Sequence, residues 1–567
     1  MPYRAPIADS VFILRHIANY AAVSATARFA DVDLDAAAAI LGEAGRIGEE
    51  IMAPLRRQSD DCAARRDEGA VRSLPAFGPA YRLLSEGGWV GITADPAHGG
   101  LGLPTALGTV VTEIMSAGCI SLQVKVLLSQ GQIEALEQHA SDEIKALYLP
   151  KLNSGAWSGT MNLSEPQAGS DVGALATRAE PVGDGTFRIT GQKIFITWGD
   201  SDLVENVCHL VLARLPDGGA GTRGISLFLV PKFLPDAGGL LGKRNTLRVI
   251  SLEHKLGLHG SPTCVMDYAG ATGWLIGAPH KGMAAMFTMM NNARLAVAAQ
   301  GVGLAEAALQ QATAYARDRK QGATPGHAQG TIIAHADVRR MLVRMRAEVF
   351  AARSIVLTCA VAMDLARATD QPHWHARAAL LTPIAKAYGT DVGCHVADLG
   401  IQVHGGMGYI EETGAAQYWR DARVTPIYEG TNGIQAMDLV GRKLADGGAA
   451  VDALIAEIVA DATSGQATMP DLGGAVLQAA TRLRTATSEM VASEPDDRNA
   501  GAVAYLRAFA LVLGGHAHLR AALTDPDRIA LARVMILRIL PEYRSLLAEA
   551  GIGAADLYAV SDDALMG

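Results

Sequence analysis

The feature that most constrains this chain is a change of hydrophobic period. Apolar residues recur at helical spacing up to about Ser158, alternate with polar ones through roughly 159–283, and return to helical spacing from Met286 onward. A period near 3.6 residues buries one face of a helix, and a period of two buries one face of a strand. Helical sequence on both sides of one β block predicts an α+β, mostly α protein, and excludes a doubly wound sheet. A chain of 567 residues is too long for a single core. Four parts are expected: an N-terminal helical domain (1–158), a middle β domain (159–283), a C-terminal helical bundle (284–446) and an extra helical region (447–567).

Local signals fill this outline. Asp33 is placed to cap an Ala-rich helix over Leu34–Ile51, and a helix carrying Ala80, Leu83 and Leu84 follows. Asp95–Pro104 reads as a Gly/Pro loop. Ala106–Ala117 and Ser129–Ala140 then read as two helical stretches, and Ser141-Asp-Glu as a helix start. Phe187–Thr197 alternates about Gly191, which predicts a hairpin; Val207–Leu215, Gly224–Val230 and Val265–Tyr268 predict further strands. In Asp337–Phe350, residues Val338, Met341, Leu342, Met345, Val349 and Phe350 share one helical face. Past an Asp446-Gly-Gly-Ala linker, helices are expected at Val451–Thr463, Leu472–Ala492, Ala502–Ala522 and Arg528–Leu540, the last stopped by Pro541.

Several classes of function are disfavoured. The net charge is −9, and residues 451–567 hold nine Arg and no Lys against fifteen Asp and Glu, a balance that repels phosphates. No nucleic-acid partner is expected. The six cysteines are scattered without C-x-x-C spacing, as in a reducing compartment. Neither a signal peptide nor an apolar run of roughly 18 residues is evident, so no membrane span and a cytoplasmic location are expected. Histidines 254, 259, 280, 335, 373, 375 and 404 lack ligand spacing, so no metal is expected. Gly301-Val-Gly303 lies in helical sequence with Glu306 where a third glycine belongs, which reads as helix–helix packing and not a dinucleotide fingerprint. Gly155-Ala-Trp-Ser158-Gly159 is not a nucleophile elbow, since its serine sits one place late.

The segments suited to chemistry are three. Gln402–Asp438 carries two glycine turns, His404-Gly-Gly-Met-Gly408 and Glu429-Gly-Thr-Asn-Gly433, around a charged helical segment, Glu411–Arg423. A turn glutamate by itself is a solvated surface residue more often than a base. Met161-Asn-Leu-Ser-Glu-Pro-Gln-Ala-Gly-Ser-Asp171 offers backbone N–H groups and two hydroxyls at the entrance to the β block, suited to phosphate or a polar cofactor edge. Phe195 and Thr197, two apart, fall on one face of a regular strand, where a flat ring can stack while the hydroxyl bonds its edge.

Together, MNLSEPQAGSD, GQKIFITWG and RDARVTPIYEGTNGIQ resemble the acyl-CoA dehydrogenase family, over about Asp33 to Lys443. The family's pattern is a helical N domain, a middle β domain and a helical C-terminal bundle around FAD. Within it, MPYRAP...FILRH, SLEHKLGLHGSPTCVM and TMMNNARLAVAAQGVG are most similar to the 3-methylmercaptopropionyl-CoA dehydrogenase branch. The resemblance implies that Glu429 takes the α-proton of an acyl-CoA thioester while the β-hydrogen leaves as hydride to flavin N5. Burial against flavin and acyl chain should raise its carboxyl pKa. The carbonyl would be held by the backbone N–H of Glu429 and a flavin ribityl hydroxyl. It implies FAD contacts at Met161, Leu163, Ser164, Ser170, Phe195, Ile196, Thr197, Gln402, Gly405, Gly406, Thr431 and Gly433. Arg319 and Gln321 would reach the FAD of a neighbouring subunit, which implies a homodimer. Ser170, Arg294, Tyr428 and Gly430 fall on the substrate side, and an electron-transfer flavoprotein is the implied acceptor.

Three positions depart from the family pattern. Phe195 stands where many members have Trp, Trp198 replaces a common Asn, and Lys320-Gln-Gly lacks the usual Phe before Gly. The expected reaction is α,β-dehydrogenation of 3-methylmercaptopropionyl-CoA to 3-methylthioacryloyl-CoA, with a short or medium straight-chain acyl-CoA as the alternative. A DNA-associated flavoprotein is disfavoured by the acidic C-terminal region, and a catalytically silent member by the intact Glu429 turn.

Overall fold

The computed structural model describes residues 3–323 and 330–567. The chain forms two compact units: Met1–Gly45 with Pro104–Ala117 and Val297–Gly567, and Arg46–Leu103 with Gly118–Ala296.

The second unit holds the β structure. Its strands are β1 (Arg65–Asp67), β2 (Ala70–Arg72), β3 (Trp157–Asn162), β4 (Arg178–Pro181), β5 (Phe187–Thr197), β6 (Asn206–Arg214), β7 (Ile225–Pro231), β8 (Phe233–Pro235), β9 (Leu241–Arg244), β10 (Leu247–Leu252) and β11 (Thr263–Ile276). Among the described residues the main sheet runs β10-β11-β5-β4-β6-β3, with β7 paired to both β11 and β6. β3 runs parallel to β6, Ser158 opposite Val207. β7 is buried along its whole length and β6 up to Ala213. Continuous apolar runs of this kind are strands covered on both faces. Ile189, Ile196, Val211, Phe228, Val249 and Met266 make the core of the sheet.

The expected hairpin in Phe187–Thr197 is instead one strand, β5. Gly191 pairs with Tyr268, and a Cβ there would lie 2.4 Å from Thr177 Oγ1. The glycine therefore marks a close approach of two strands and not a turn. Where β5 does bend, it does so at a bulge: Lys193 and Ile196 pair with Met266 and Cys264 across a register shift. This bulge, with Phe195 at φ 60, interrupts the simple alternation that put Phe195 and Thr197 on one face. Ala106–Ala117 and Ser129–Ala140 belong to one run, Thr105–His139, broken at Cys119 (φ −155, ψ 92). Beside the break, a Cβ on Gly118 would meet Met52 Cβ at 2.6 Å, so backbone packing needs the glycine. Helix Leu34–Ile47 passes through a π-turn, Gly48–Met52, into Ala53–Asp61.

The first unit is helical. Asp33 Oδ1 accepts from the N–H groups of Asp35 and Ala36 at 3.1 and 2.8 Å, the expected cap. Gly301 and Gly303 lie within helix Gly282–Asp318. A Cβ on either would come 2.4 Å from a carbonyl oxygen, that of Gly389 or Glu113 respectively, so the pair serves close helix packing as expected. Buried Arg353 bonds Glu113 through Nε and Nη2 and Glu306 through Nη2 at 2.7 Å. Asp9, near the N-terminus, accepts from Arg346 and from Arg528 of the extra region. That region, helices Ala449–Thr468, Pro470–Ala492, Pro495–Thr524 and Tyr543–Ala550, packs on the helical body. His518 Nε2 lies 3.0 Å from the carbonyl oxygen of Ala347 in helix Ala336–Thr369. Pro541 does not end the chain's helical path; it sits at the second position of the turn Leu540–Glu542, still within a first turn, where a missing N–H costs little. Glu411–Arg423 is a 3₁₀ turn, Glu411–Thr413, followed by helix Ala415–Ala422.

The expectation of no long apolar stretch is corrected. Helices Thr105–His139, Ala336–Thr369 and Pro495–Thr524 are long and apolar enough to cross a membrane by length and composition. Their apolar windows are 100%, 89% and 78% buried within the protein, so the apolar character serves interior packing here.

Candidate active site

Glu429 sits in a turn between helices Ala415–Ala422 and Asn432–Asp438. Its backbone is left-handed, φ 56, a conformation rare and strained for a residue with a Cβ; Gly430 follows at φ 83. The surrounding structure over-determines this turn. The N–H of Asn432 donates to the carbonyl oxygen of Pro426 at 3.0 Å, closing it. Buried Lys386, on helix Pro372–His404, donates Nζ to the carbonyl oxygen of Gly430 at 2.9 Å and to Asn432 Oδ1 at 3.0 Å. Asn432 Nδ2 in turn donates to Asp391 Oδ1 at 2.8 Å. Gln435 Nε2 reaches the carbonyl oxygens of Glu429 and Gly430. Tyr428 OH donates to Gln300, and burial, then the Glu429 charge, pushes its phenol well above the usual range. Thr431 Oγ1 accepts from the N–H of Ile434, capping the next helix, and Gly433 lies in that helix's first turn.

Elsewhere in this unit, the His404 ring stacks on Tyr315 with centroids 4.4 Å apart. That contact brings the Gln402–Gly406 turn beside the end of helix Gly282–Asp318, which leads into Arg319 and Gln321. The last two are exposed and pair with the returning chain: Ile332 N–H to the Arg319 oxygen at 2.8 Å, Gln321 N–H to the Gly330 oxygen at 3.0 Å. Gly405 is at φ 61, and a Cβ on Gly405 or Gly406 would enter open space.

The β unit carries the other set. β3 delivers Met161, and the chain then turns through Leu163, Ser164 and Glu165. Two buried residues fix this loop, neither of which the sequence pattern singled out. Lys193 on β5 donates Nζ to the Leu163 oxygen at 2.9 Å and to Glu165 Oε1 at 2.8 Å. Glu165 also accepts from Ala176 N, Thr177 N and Thr177 Oγ1 at 2.7, 3.1 and 2.6 Å. Burial alone would raise its carboxyl, but the Lys193 ammonium and these donors outweigh it and hold the group at about 2. A lysine at a core-facing position of β5 was the available signal, because a buried ammonium needs an acidic partner. Phe195 is 62% exposed at φ 60. Ile196 is buried in the core, and Thr197 is half-buried opposite Thr263. Ser170 is exposed, whereas Arg294 is buried, not a surface residue, with Nη1 3.5 Å from Asn291 Oδ1.

This donor set suits a flat cofactor with a polar edge. Among the described residues the hydroxyls of Ser164, Ser170 and Thr197 have no hydrogen-bond partner. The exposed Phe195 ring offers a stacking face.

The N-terminal, middle and C-terminal domain profiles of acyl-CoA dehydrogenases match residues 34–156, 160–270 and 280–444. A Ruegeria pomeroyi protein, 3-methylmercaptopropionyl-CoA dehydrogenase, is 45% identical over 522 residues, spanning 89% of this chain and 88% of its own. The chain belongs to the acyl-CoA dehydrogenase family. It is an FAD-dependent oxidoreductase acting on the CH–CH bond of acyl-CoA thioesters. A Syntrophomonas wolfei butyryl-CoA dehydrogenase is 35% identical across 70% of this chain and 68% of its own. The crystal structure of Caenorhabditis elegans ACDH-11 in complex with C11-CoA has the same fold, with a TM-score of 0.78 at 20% identity, covering 97% of this chain and 95% of that one.

Proposed function

We propose that this dehydrogenase converts 3-methylmercaptopropionyl-CoA to 3-methylthioacryloyl-CoA, with Glu429 as the base that removes the α-proton. The observation that carries the base assignment is the left-handed backbone of Glu429, held by Lys386 through its neighbour Gly430 and by Asn432, whose N–H closes the turn onto the Pro426 oxygen. Strain kept in place by several buried hydrogen bonds supports a demand for carboxylate position. The backbone N–H of Glu429 polarises the thioester carbonyl, and Gly430 lets the acyl group approach without a side chain in the way. Tyr428 and Arg294 line the substrate side. FAD, when bound, supplies the redox chemistry. Met161, Leu163, Ser164, Phe195, Ile196 and Thr197 hold its ring and Ser170 its phosphates. Gln402, Gly405, Gly406, Thr431 and Gly433 hold the remainder. Exposed Arg319 and Gln321 reach the cofactor of a second copy in a homodimer.

The acyl group is assigned from the 45% identical Ruegeria pomeroyi relative. A straight-chain short or medium acyl-CoA is the second reading, favoured by the butyryl-CoA relative at 35%. An electron-transfer flavoprotein takes the electrons. Free thiols at all six cysteines support work in the cytoplasm. The family profiles' bounds support three of the four parts of the chain, leaving 447–567 as a helical addition. The test is flavin bleaching by a panel of acyl-CoAs. Bleaching by butyryl- or octanoyl-CoA without bleaching by the methylthio thioester would overturn the substrate assignment.

A further inference from the structure

Lys125 is fully buried in the β unit, on helix Thr105–His139. Its Nζ donates to Ser158 Oγ at 2.9 Å and forms no ion pair among the described residues. Instead the ammonium lies 5.0 Å from the ring of Trp198 and 5.2 Å from that of Tyr81, a cation between two aromatic rings. One helical turn earlier on the same helix, the Ser121 oxygen accepts from Trp198 Nε1 at 3.2 Å. Trp198 itself is buried and left-handed, φ 53, its N–H donating to the Pro262 oxygen at 2.8 Å. With Phe195 at φ 60, two strained residues bracket Ile196 and Thr197. Such a turn keeps its shape only if something outside it fixes its ends. Ser158 lies on β3, three residues before Met161, so the one ammonium ties both flavin-facing segments to one helix.

We propose that Lys125 is a positioning residue that clamps Trp198 and Ser158, and thereby holds the Phe195–Thr197 turn in the conformation that receives the flavin ring. This rests on the reading of that turn as flavin-facing. The same residue makes flavin retention pH-dependent. Burial takes the Lys125 ammonium down to about 7, against the opposing field of Asp200 and Asp202 and with a smaller push from Lys232. Asp200 is itself paired with Lys232 at 2.6 Å, and Tyr81 stays neutral because burial raises its phenol. Loss of the proton removes the attraction to both rings, so the turn loosens as pH rises through about 7.

The experiment is FAD release from the holoenzyme, with the flavin absorption spectrum, for wild type, Lys125→Met, Ser158→Ala and Phe195→Ala between pH 6 and 8. Wild type should release FAD faster as pH rises. Lys125→Met should release it about tenfold faster at pH 6, without pH dependence and with a shifted flavin band. Ser158→Ala removes an acceptor of the charged form and should move the transition to lower pH. Release from Lys125→Met within twofold of wild type, with an unchanged spectrum, overturns the proposal. Should that variant fail to fold, an unmoved transition in Ser158→Ala overturns it. Phe195→Ala separates the two ideas. If it changes neither release nor spectrum, the flavin-facing reading falls and the clamp with it; if it does and Lys125→Met does not, only the clamp falls.

Discussion

Lys386 Nζ donates at 2.9 Å to the carbonyl oxygen of Gly430, the residue next to Glu429, from 44 positions earlier in the chain. The ammonium is buried and also meets Asn432, so it locks the turn whose backbone conformation is strained at Glu429. Lys386→Met keeps much of the volume but takes the ammonium donor from the Gly430 and Asn432 oxygens, leaving them the longer bonds from Gln435 and Thr390. Stability should fall by about 1–3 kcal/mol, and turnover should fall further than stability alone accounts for, with flavin still bound. Denaturant titration and steady-state kinetics on the purified variant measure both.

Glu429→Gln is close to isosteric and removes only the base. Flavin absorbance should persist while turnover drops by about 10³-fold, the range typical of losing a positioned base. Turnover within tenfold of wild type would sink the assignment.

Glu165 links pH to the stability of the cofactor loop. Its carboxyl is held at about 2 in the fold, against an ordinary 4.5. A depressed carboxyl stabilises above the ordinary value and loses that contribution as pH falls through the folded one. The wild-type unfolding midpoint should therefore drop steeply between pH 4.5 and 2. Glu165→Gln should lack this step and be less stable at pH 7 by about 3–5 kcal/mol, because Lys193 is left buried without a counter-charge. Thermal unfolding across that pH range checks both.

Arg353 carries the corresponding burden in the helical unit. Its guanidinium satisfies Glu113 and Glu306 together, all three buried. Arg353→Met strands the Glu113 carboxylate and leaves Glu306 to Arg346 and Gln310, and should cost about 3–5 kcal/mol. The double variant Glu113→Gln/Arg353→Met should recover part of this, as chemical denaturation would show.

Gly301→Ala tests helix packing. The added Cβ would lie 2.4 Å from the Gly389 oxygen, so the two helices must separate. A loss of about 1–3 kcal/mol is expected despite alanine's better helix propensity. Unchanged stability would show that the helices part at no cost.

Much was legible from short-range pattern. The change of period placed the β block between helical segments, because burial on one face of an element repeats with that element's own geometry. The Asp33 cap and the packing role of Gly301 and Gly303 were equally local. The hairpin about Gly191 failed because a glycine that permits a turn also permits a strand to approach closely, and only the position of Thr177 distinguishes the two. Pro541 misled similarly, since proline excludes the helix interior but suits a first turn.

Sequence by itself determined the family, the order of helical and β segments, and the residues expected around the flavin and thioester. Tertiary structure alone decided what holds them. Glu165 meets Lys193, Lys386 meets Gly430, and Arg353 meets Glu113 across 28, 44 and 240 positions. Pairing at such distances depends on which faces pack, and residue periodicity carries no information about that. The left-handed backbones of Glu429, Phe195 and Trp198 belong there too. No local preference of Glu, Phe or Trp favours that conformation, so it exists only where surrounding hydrogen bonds and packing impose it.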